Sequence, residues 1–130
     1  MSDTLIKTVT SKGTNKVEIL KNVEVLLVET NILSKSNSMM QDIEYREQKG
    51  SIEVYPNVLL PHIKASYVKE AKIVLVKNSE ATMNWDDKKV ELIILLLIPE
   101  KTDEEVQSEI RNFMKHLANE EYIQKLMKRE

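Results

Sequence analysis

One stretch of this chain limits its fold more than any other. From Leu92 to Ile98 every residue is apolar, and the wider run Val90 to Ile98 reads Val-Glu-Leu-Ile-Ile-Leu-Leu-Leu-Ile before Pro99 stops it. The run is far short of the ~20 residues that cross a bilayer as a helix. A surface helix would carry a polar face, and this run has none. It therefore reads as a strand covered on both sides, the central strand of an α/β sheet. Such a strand needs a layer above it and a layer below it, which the rest of the chain must supply.

The candidate layers are helices at the two ends. Thr14 can cap a helix running to about Thr30, with Val17, Leu20, Val23 and Leu27 on one face. Ser34 to Asn37 breaks it. Ser38 with Gln41 reads as a capping box for a second helix that carries Met39, Ile43 and Arg46 and ends at Gly50. Thr102 with Glu105 reads as another box, opening a helix with Val106, Ile110, Phe113, Met114 and Leu117 at helical spacing. Asn119 can cap a last helix with Tyr122, Ile123 and Leu126 inward.

Strands lie mainly between these helices. Leu5 to Val9 is a short candidate, followed by a turn at Ser11-Lys12-Gly13-Thr14. Ile52 to Leu60 is extended but interrupted by Pro56, which suits an edge strand. Pro61 and His62 close it, and Ser66 can cap a short helical turn through Lys69. Ile73 to Val76 is a compact strand, and Asn78 to Asp87 is a loop holding the one tryptophan, Trp85. With no repeat and no linker composition, residues 1–130 read as one α/β domain, a sheet with helices packed on it, whose strand order the pattern does not give.

Composition removes several function classes. The net charge is -2, with 19 basic and 21 acidic residues intermixed, so there is no basic stripe for direct nucleic-acid binding. Without cysteine there is no disulfide framework, thiolate metal site or cysteine nucleophile. Two glycines cannot build a Gly-rich phosphate loop, and no Gly-x-Ser-x-Gly elbow occurs. The two histidines, His62 and His116, lack the helical spacing of a paired metal site. No cofactor and no metal are expected. Met1-Ser2-Asp3-Thr4 has neither region of a signal peptide, so the expectation is a cytoplasmic protein with no membrane insertion.

His62 is the residue with chemistry to offer. It follows Val58-Leu59-Leu60-Pro61, and the proline fixes the backbone just before it. An imidazole at the end of a strand stands where α/β sheets build sites. Near pH 7 a neutral imidazole is a good nucleophile and can take a phosphoryl group on one ring nitrogen. Such transfer asks the protein for positioning and compensating charge. Arg46 suits the second task, because a guanidinium grips phosphate with paired hydrogen bonds. The plainer readings are a strand-end histidine with a satisfied hydrogen bond and an arginine facing solvent. His116, near a helix end, is better read as structural.

The order of these pieces resembles the fructose–mannitol type of phosphotransferase-system (PTS) IIA domain. The residues that carry the resemblance are Arg46-Glu47, the stretch Ser51 to Asn57, Leu59-Leu60-Pro61-His62, the strand Ile73 to Val76, Trp85, the strand ending at Pro99-Glu100, and the junction Leu117-Ala118-Asn119-Glu120-Glu121-Tyr122. The resemblance implies an α/β fold with a central mixed sheet flanked by helices. It implies that His62 accepts phosphate from the phosphocarrier HPr and passes it to a IIB domain, while the sugar crosses the membrane through a IIC partner. It also implies that Arg46 assists phosphate handling, with Glu47, Ser51 and Glu105 as further site positions.

The sequence departs from the family pattern in two places. Glu53, Tyr55 and Asn57 fill a stretch where the family has glycines, and Ile63 follows His62 where the family often has a small residue. The family's second histidine would fall at Glu105-Val106, where there is none. A working carrier, a regulatory IIA-like domain in which phosphorylation of His62 is a signal, and a copy that only binds partners all stay open, as does a homodimer.

Overall fold

The computed structural model describes residues 5–78 and 82–128. It is an α/β domain with a mixed central sheet and, among the described residues, four helices. The strands are β1 (Ile6–Thr10), β2 (Glu53–Tyr55), β3 (Val58–Leu59), β4 (His62–Lys64), β5 (Lys72–Lys77), β6 (Met83–Trp85), β7 (Lys88–Val90) and β8 (Leu92–Ile98). The helices are α1 (Lys16–Glu29), α2 (Ser38–Lys49), α3 (Glu104–His116) and α4 (Glu120–Met127).

β8 lies at the middle of the sheet. It pairs antiparallel with β5 on one side and parallel with β3 and β4 on the other. β1 extends the sheet beyond β5 in parallel, and β2 extends it beyond β3 as a hairpin. Successive β8 side chains go to opposite faces. Ile93, Leu95 and Leu97 join Ile19, Val23, Leu27, Met39 and Ile43 of α1 and α2. Leu92, Ile94 and Leu96 join Ile110, Phe113 and Ile123 of α3 and α4. Both faces of β8 are therefore covered, as the unbroken apolar run requires.

The helix starts differ from the sequence expectation in an instructive way. α1 is capped by Asn15, not Thr14: its side chain accepts the Glu18 N–H at 2.9 Å, while the Glu18 carboxylate reaches back to the Thr14 N–H at 3.1 Å. Asn is the stronger cap and sits one residue nearer the helix. Ile19 rather than Val17 completes the buried face, and Val17 is half exposed. α2 has no side-chain cap from Ser38. The residue before it, Asn37, is left-handed (φ 76), and its N–H is taken by the buried Glu24 carboxylate of α1 at 2.8 Å. A long-range partner has replaced the local box. α3 is capped by Asp103, whose Oδ1 accepts the Val106 N–H at 2.9 Å, rather than by Thr102. Met114 lies at the edge of its buried stripe and is partly exposed. Asn119 caps α4 as expected.

The middle segments also depart from the simple reading. Ile52 to Leu60 is a hairpin, not one strand. Pro56 and Asn57 make its turn, with Asn57 at φ 68 and its N–H held by the Glu53 carboxylate at 3.2 Å. Asparagine tolerates this left-handed geometry, so the turn forms without glycine. After β4, Ser66 and Tyr67 form a turn, and Val68 bridges to Leu33 instead of continuing a helix. The loop expected over 78–87 contains β6, which pairs with β7 and buries Met83 and Trp85; its residues 79–81 lie outside the described residues. Gly13 sits where α1 comes closest, since a Cβ there would stand 2.8 Å from the Ile19 nitrogen.

The capping assignment has a direct consequence. Asn15→Ala is expected to cost about 1 kcal/mol in urea unfolding, and Thr14→Ala to stay within about 0.5 kcal/mol. The reverse order would return the cap to Thr14.

Candidate active site

His62 opens β4 on a strand that is broken rather than ended. Val58 faces Leu92 on β8 and His62 faces Leu96, so the register is the same before and after the break. At the break the Leu60 N–H turns to the Ile52 carbonyl at 2.7 Å, and Pro61 has no N–H to give. The Pro61 carbonyl still accepts from the Leu96 N–H at 3.0 Å. β2 flanks β3 only, so among the described residues the outer side of β4 has no strand neighbour. Ile63 points into the core, while His62 and Lys64, two residues apart, are exposed.

α2 brings the arginine. Met39 and Ile43 bury its inner face in the same cluster as Ile63. Arg46 and Glu47 follow Ile43 at i+3 and i+4, so they continue that face toward the end of the helix. The Tyr67 hydroxyl, just after β4, donates to the Asp42 carboxylate of α2 and ties the two segments together. The Arg46 guanidinium is exposed and acts on His62 through its charge. Partial burial of the ring lowers the His62 pKa below the ordinary 6.5, and the Arg46 and Lys64 charges lower it further. His62 is thus held neutral near pH 7, with a ring-nitrogen lone pair available.

Glu47 turns the other way. Its Oε1 accepts from Lys16 Nζ at 2.5 Å and its Oε2 from the Trp85 indole N–H at 2.6 Å. Lys16 also reaches Asp86 at 3.3 Å and lies 5.0 Å from the centre of the Trp85 ring. Burial works against the Lys16 ammonium, but these carboxylates outweigh it and raise its pKa. Ser51 lines a cavity of about 250 Å³ beside Glu47 and Trp85, and its hydroxyl accepts the Glu53 N–H at 3.1 Å.

The charge of Arg46 thus reaches His62, while Glu47 and Ser51 line a cavity with Trp85 that neither His62 nor Arg46 lines. Glu105 lies exposed in the first turn of α3 and is not among the groups that act on His62. His116 bonds the Asn112 carbonyl of its own helix through Nδ1 at 2.7 Å, a structural position. Among the described residues no cluster of three or more His, Cys, Asp or Glu is placed to hold a metal ion, and no helix is long and apolar enough to cross a membrane. Lys64, Lys16 and Trp85 were not singled out as site neighbours from the sequence. Lys64 could have been, because strand alternation puts it on the side of His62. Lys16 and Trp85 meet Glu47 only through tertiary folding.

The structure is thus an α/β sheet that presents an exposed imidazole on a strand with no outer strand neighbour among the described residues, within reach of the charge of a guanidinium. The family profile described as "Phosphoenolpyruvate-dependent sugar phosphotransferase system, EIIA 2" matches residues 1–130, and the chain belongs to this family. It is therefore a phosphotransferase-system component with a phosphocarrier role. Over 118 residues it is 22% identical to the "PTS system fructose-like EIIA component" of Escherichia coli (strain K12), covering 88% of this chain and 79% of that protein. Among solved structures it resembles the nitrogen regulatory protein IIA-Ntr of Neisseria meningitidis, with a TM-score of 0.61, 22% identity, and 97% and 86% of the two chains covered. It also resembles a candidate PTS IIA protein (PtxA) of Streptococcus mutans, with a TM-score of 0.64, 19% identity, and 98% and 81% covered. The structural likenesses support the fold.

The electrostatics can be read directly by NMR titration of His62. Its midpoint is expected below 6.5. Arg46→Ala should raise it, but not fully to 6.5, because burial and Lys64 remain. A lowered histidine pKa stabilises the fold above 6.5, and this contribution is lost as pH falls from 6.5 through the folded midpoint. A midpoint above 6.5 would mean that His62 is neither desolvated nor flanked by cations.

Proposed function

We propose that His62 is the phosphoryl acceptor, loaded by HPr and unloaded to a IIB domain. The observation that carries this is the pairing of an exposed, neutral imidazole at an open strand edge with an exposed guanidinium acting on it. A lone pair on a His62 ring nitrogen attacks the phosphorus of the donor's phosphohistidine. The new P–N bond forms as the old one breaks, and the bonding electrons return to the donor imidazole; that ring gains a proton while the other nitrogen of His62 gives one up, both through solvent, so no net proton is consumed. Passing the group to IIB repeats the exchange with this chain as the donor.

Each part has a physical task. The low pKa keeps the nucleophile in its reactive form near pH 7. Arg46 offers paired donors to the phosphoryl oxygens, and Lys64 adds a second positive charge. A bound phosphoryl group brings up to about two negative charges at pH 7, so two cations are enough to balance it. The open outer side of β4 gives a donor or acceptor protein a path to the ring. Glu105, exposed and not acting on His62, does not oppose the arriving charge.

The test is reconstitution with phosphoenolpyruvate, enzyme I and HPr. The chain should take a heat- and acid-labile label that His62→Ala abolishes, and Arg46→Ala should slow labelling by about tenfold, a loss of ~1.4 kcal/mol of transition-state stabilisation. A wild-type chain that takes no label, or a label that survives His62→Ala, refutes the proposal.

A further inference from the structure

Among the described residues Arg46 makes no hydrogen bond or ion pair, so no polar partner fixes where its guanidinium lies. Its position depends on the helix end that carries it. That end is weakly closed: the Gly50 N–H reaches the Glu47 carbonyl at 3.4 Å, a long contact. The next side chain, Glu47, is held far more firmly. Both its oxygens are engaged, at 2.5 and 2.6 Å, by donors from two other elements. Lys16 is the first residue of α1, and Trp85 ends β6 with its ring almost fully buried. These two donors are themselves tied together, because the Asn84 N–H bonds the Thr14 carbonyl at 2.8 Å and Lys16 lies over the indole.

We propose that Glu47 is a positioning residue for phosphoryl transfer, clamped by Lys16 and Trp85 so that the last turn of α2 holds Arg46 toward His62. The inference rests on His62 being the acceptor. Adjacent helical residues project about 100° apart. Fixing Glu47 against α1 and β6 therefore fixes the direction of Arg46 on the other side of the Ile43 line, toward β4. The guanidinium stays free to receive the phosphoryl oxygens, and its placement is set in advance by its neighbour. Charge-assisted hydrogen bonds of this length are among the stronger ones and tolerate little displacement.

The proposal separates from a merely structural tie by coupling. The experiment measures labelling from phosphorylated HPr and the NMR titration of His62 in Glu47→Gln, Trp85→Phe, Arg46→Ala and the double variant Arg46→Ala/Glu47→Gln. Glu47→Gln should slow labelling on the order of tenfold, the scale expected when a reacting group is misplaced by a fraction of an ångström. It should also move the His62 midpoint up toward the Arg46→Ala value. Trp85→Phe, which loses one donor to Glu47 and leaves a smaller aromatic ring in the same place, should shift both in the same direction by less. The double variant should be within about twofold of Arg46→Ala, because the clamp acts through the arginine. Multiplying losses in the double variant, or an unmoved His62 midpoint in Glu47→Gln, overturns the proposal. If Glu47→Gln does not fold, the same comparison with Trp85→Phe decides. If the wild type takes no label, the carrier reading fails by itself, and the titration midpoints alone judge the clamp.

Discussion

The burial of Leu92 to Leu97 on both faces is the interaction on which the other elements depend. Each of these side chains contributes roughly 1.5–3 kcal/mol when taken out of water, and a covered strand cannot collect this with one layer missing. α1 and α2 must close one face and α3 and α4 the other. β5 and the broken β3–β4 strand then satisfy its backbone groups on its two sides. The site inherits its geometry from this arrangement. His62 is in register with the most buried strand, while α2, which carries Arg46, is docked by Met39 and Ile43 on the same core.

Charge and burial act together at His62 instead of opposing each other. Desolvation, Arg46 and Lys64 all disfavour the imidazolium, so the ring is kept as a nucleophile without any general base. Under the proposed role the same cations would favour a ring that carries a phosphoryl group, so one pair of positive charges would serve both the empty and the loaded carrier. Glu47, although adjacent to Arg46 in sequence, does not cancel this, because its charge is committed to Lys16 and to the Trp85 N–H.

Much of this was legible in the sequence, and what was not has physical causes. The central strand and the four helices follow from an apolar run and from helical spacing, which are local signals; the mixed order of the sheet depends on pairing between distant segments and came only with the family resemblance. The caps at Asn37 and the buried Glu24 could not be read, because the partner comes from another helix. Asn15 and Asp103 displaced Thr14 and Thr102 by a single residue, within the precision that pattern allows. Pro56 signalled an interrupted strand, but the turn at Asn57 required knowing that asparagine would adopt the left-handed conformation. At the site, order along the chain pointed to His62 and Arg46. Lys16 carries no motif and Trp85 entered only as an aromatic in the family pattern; only the packing of the β6–β7 hairpin against the start of α1 brings both to Glu47.

The shared register on either side of the Leu60–Pro61 break ties spacing, more than composition, to the fate of the imidazole. Gaining or losing one residue between Val58 and His62 would exchange the two faces downstream, sending the ring inward and turning Ile63 out to water. The segment before it, in contrast, forms its bend without glycine, through Asn57 and Glu53. The constraint at this point therefore falls on the count of residues across the break more than on which residues fill it.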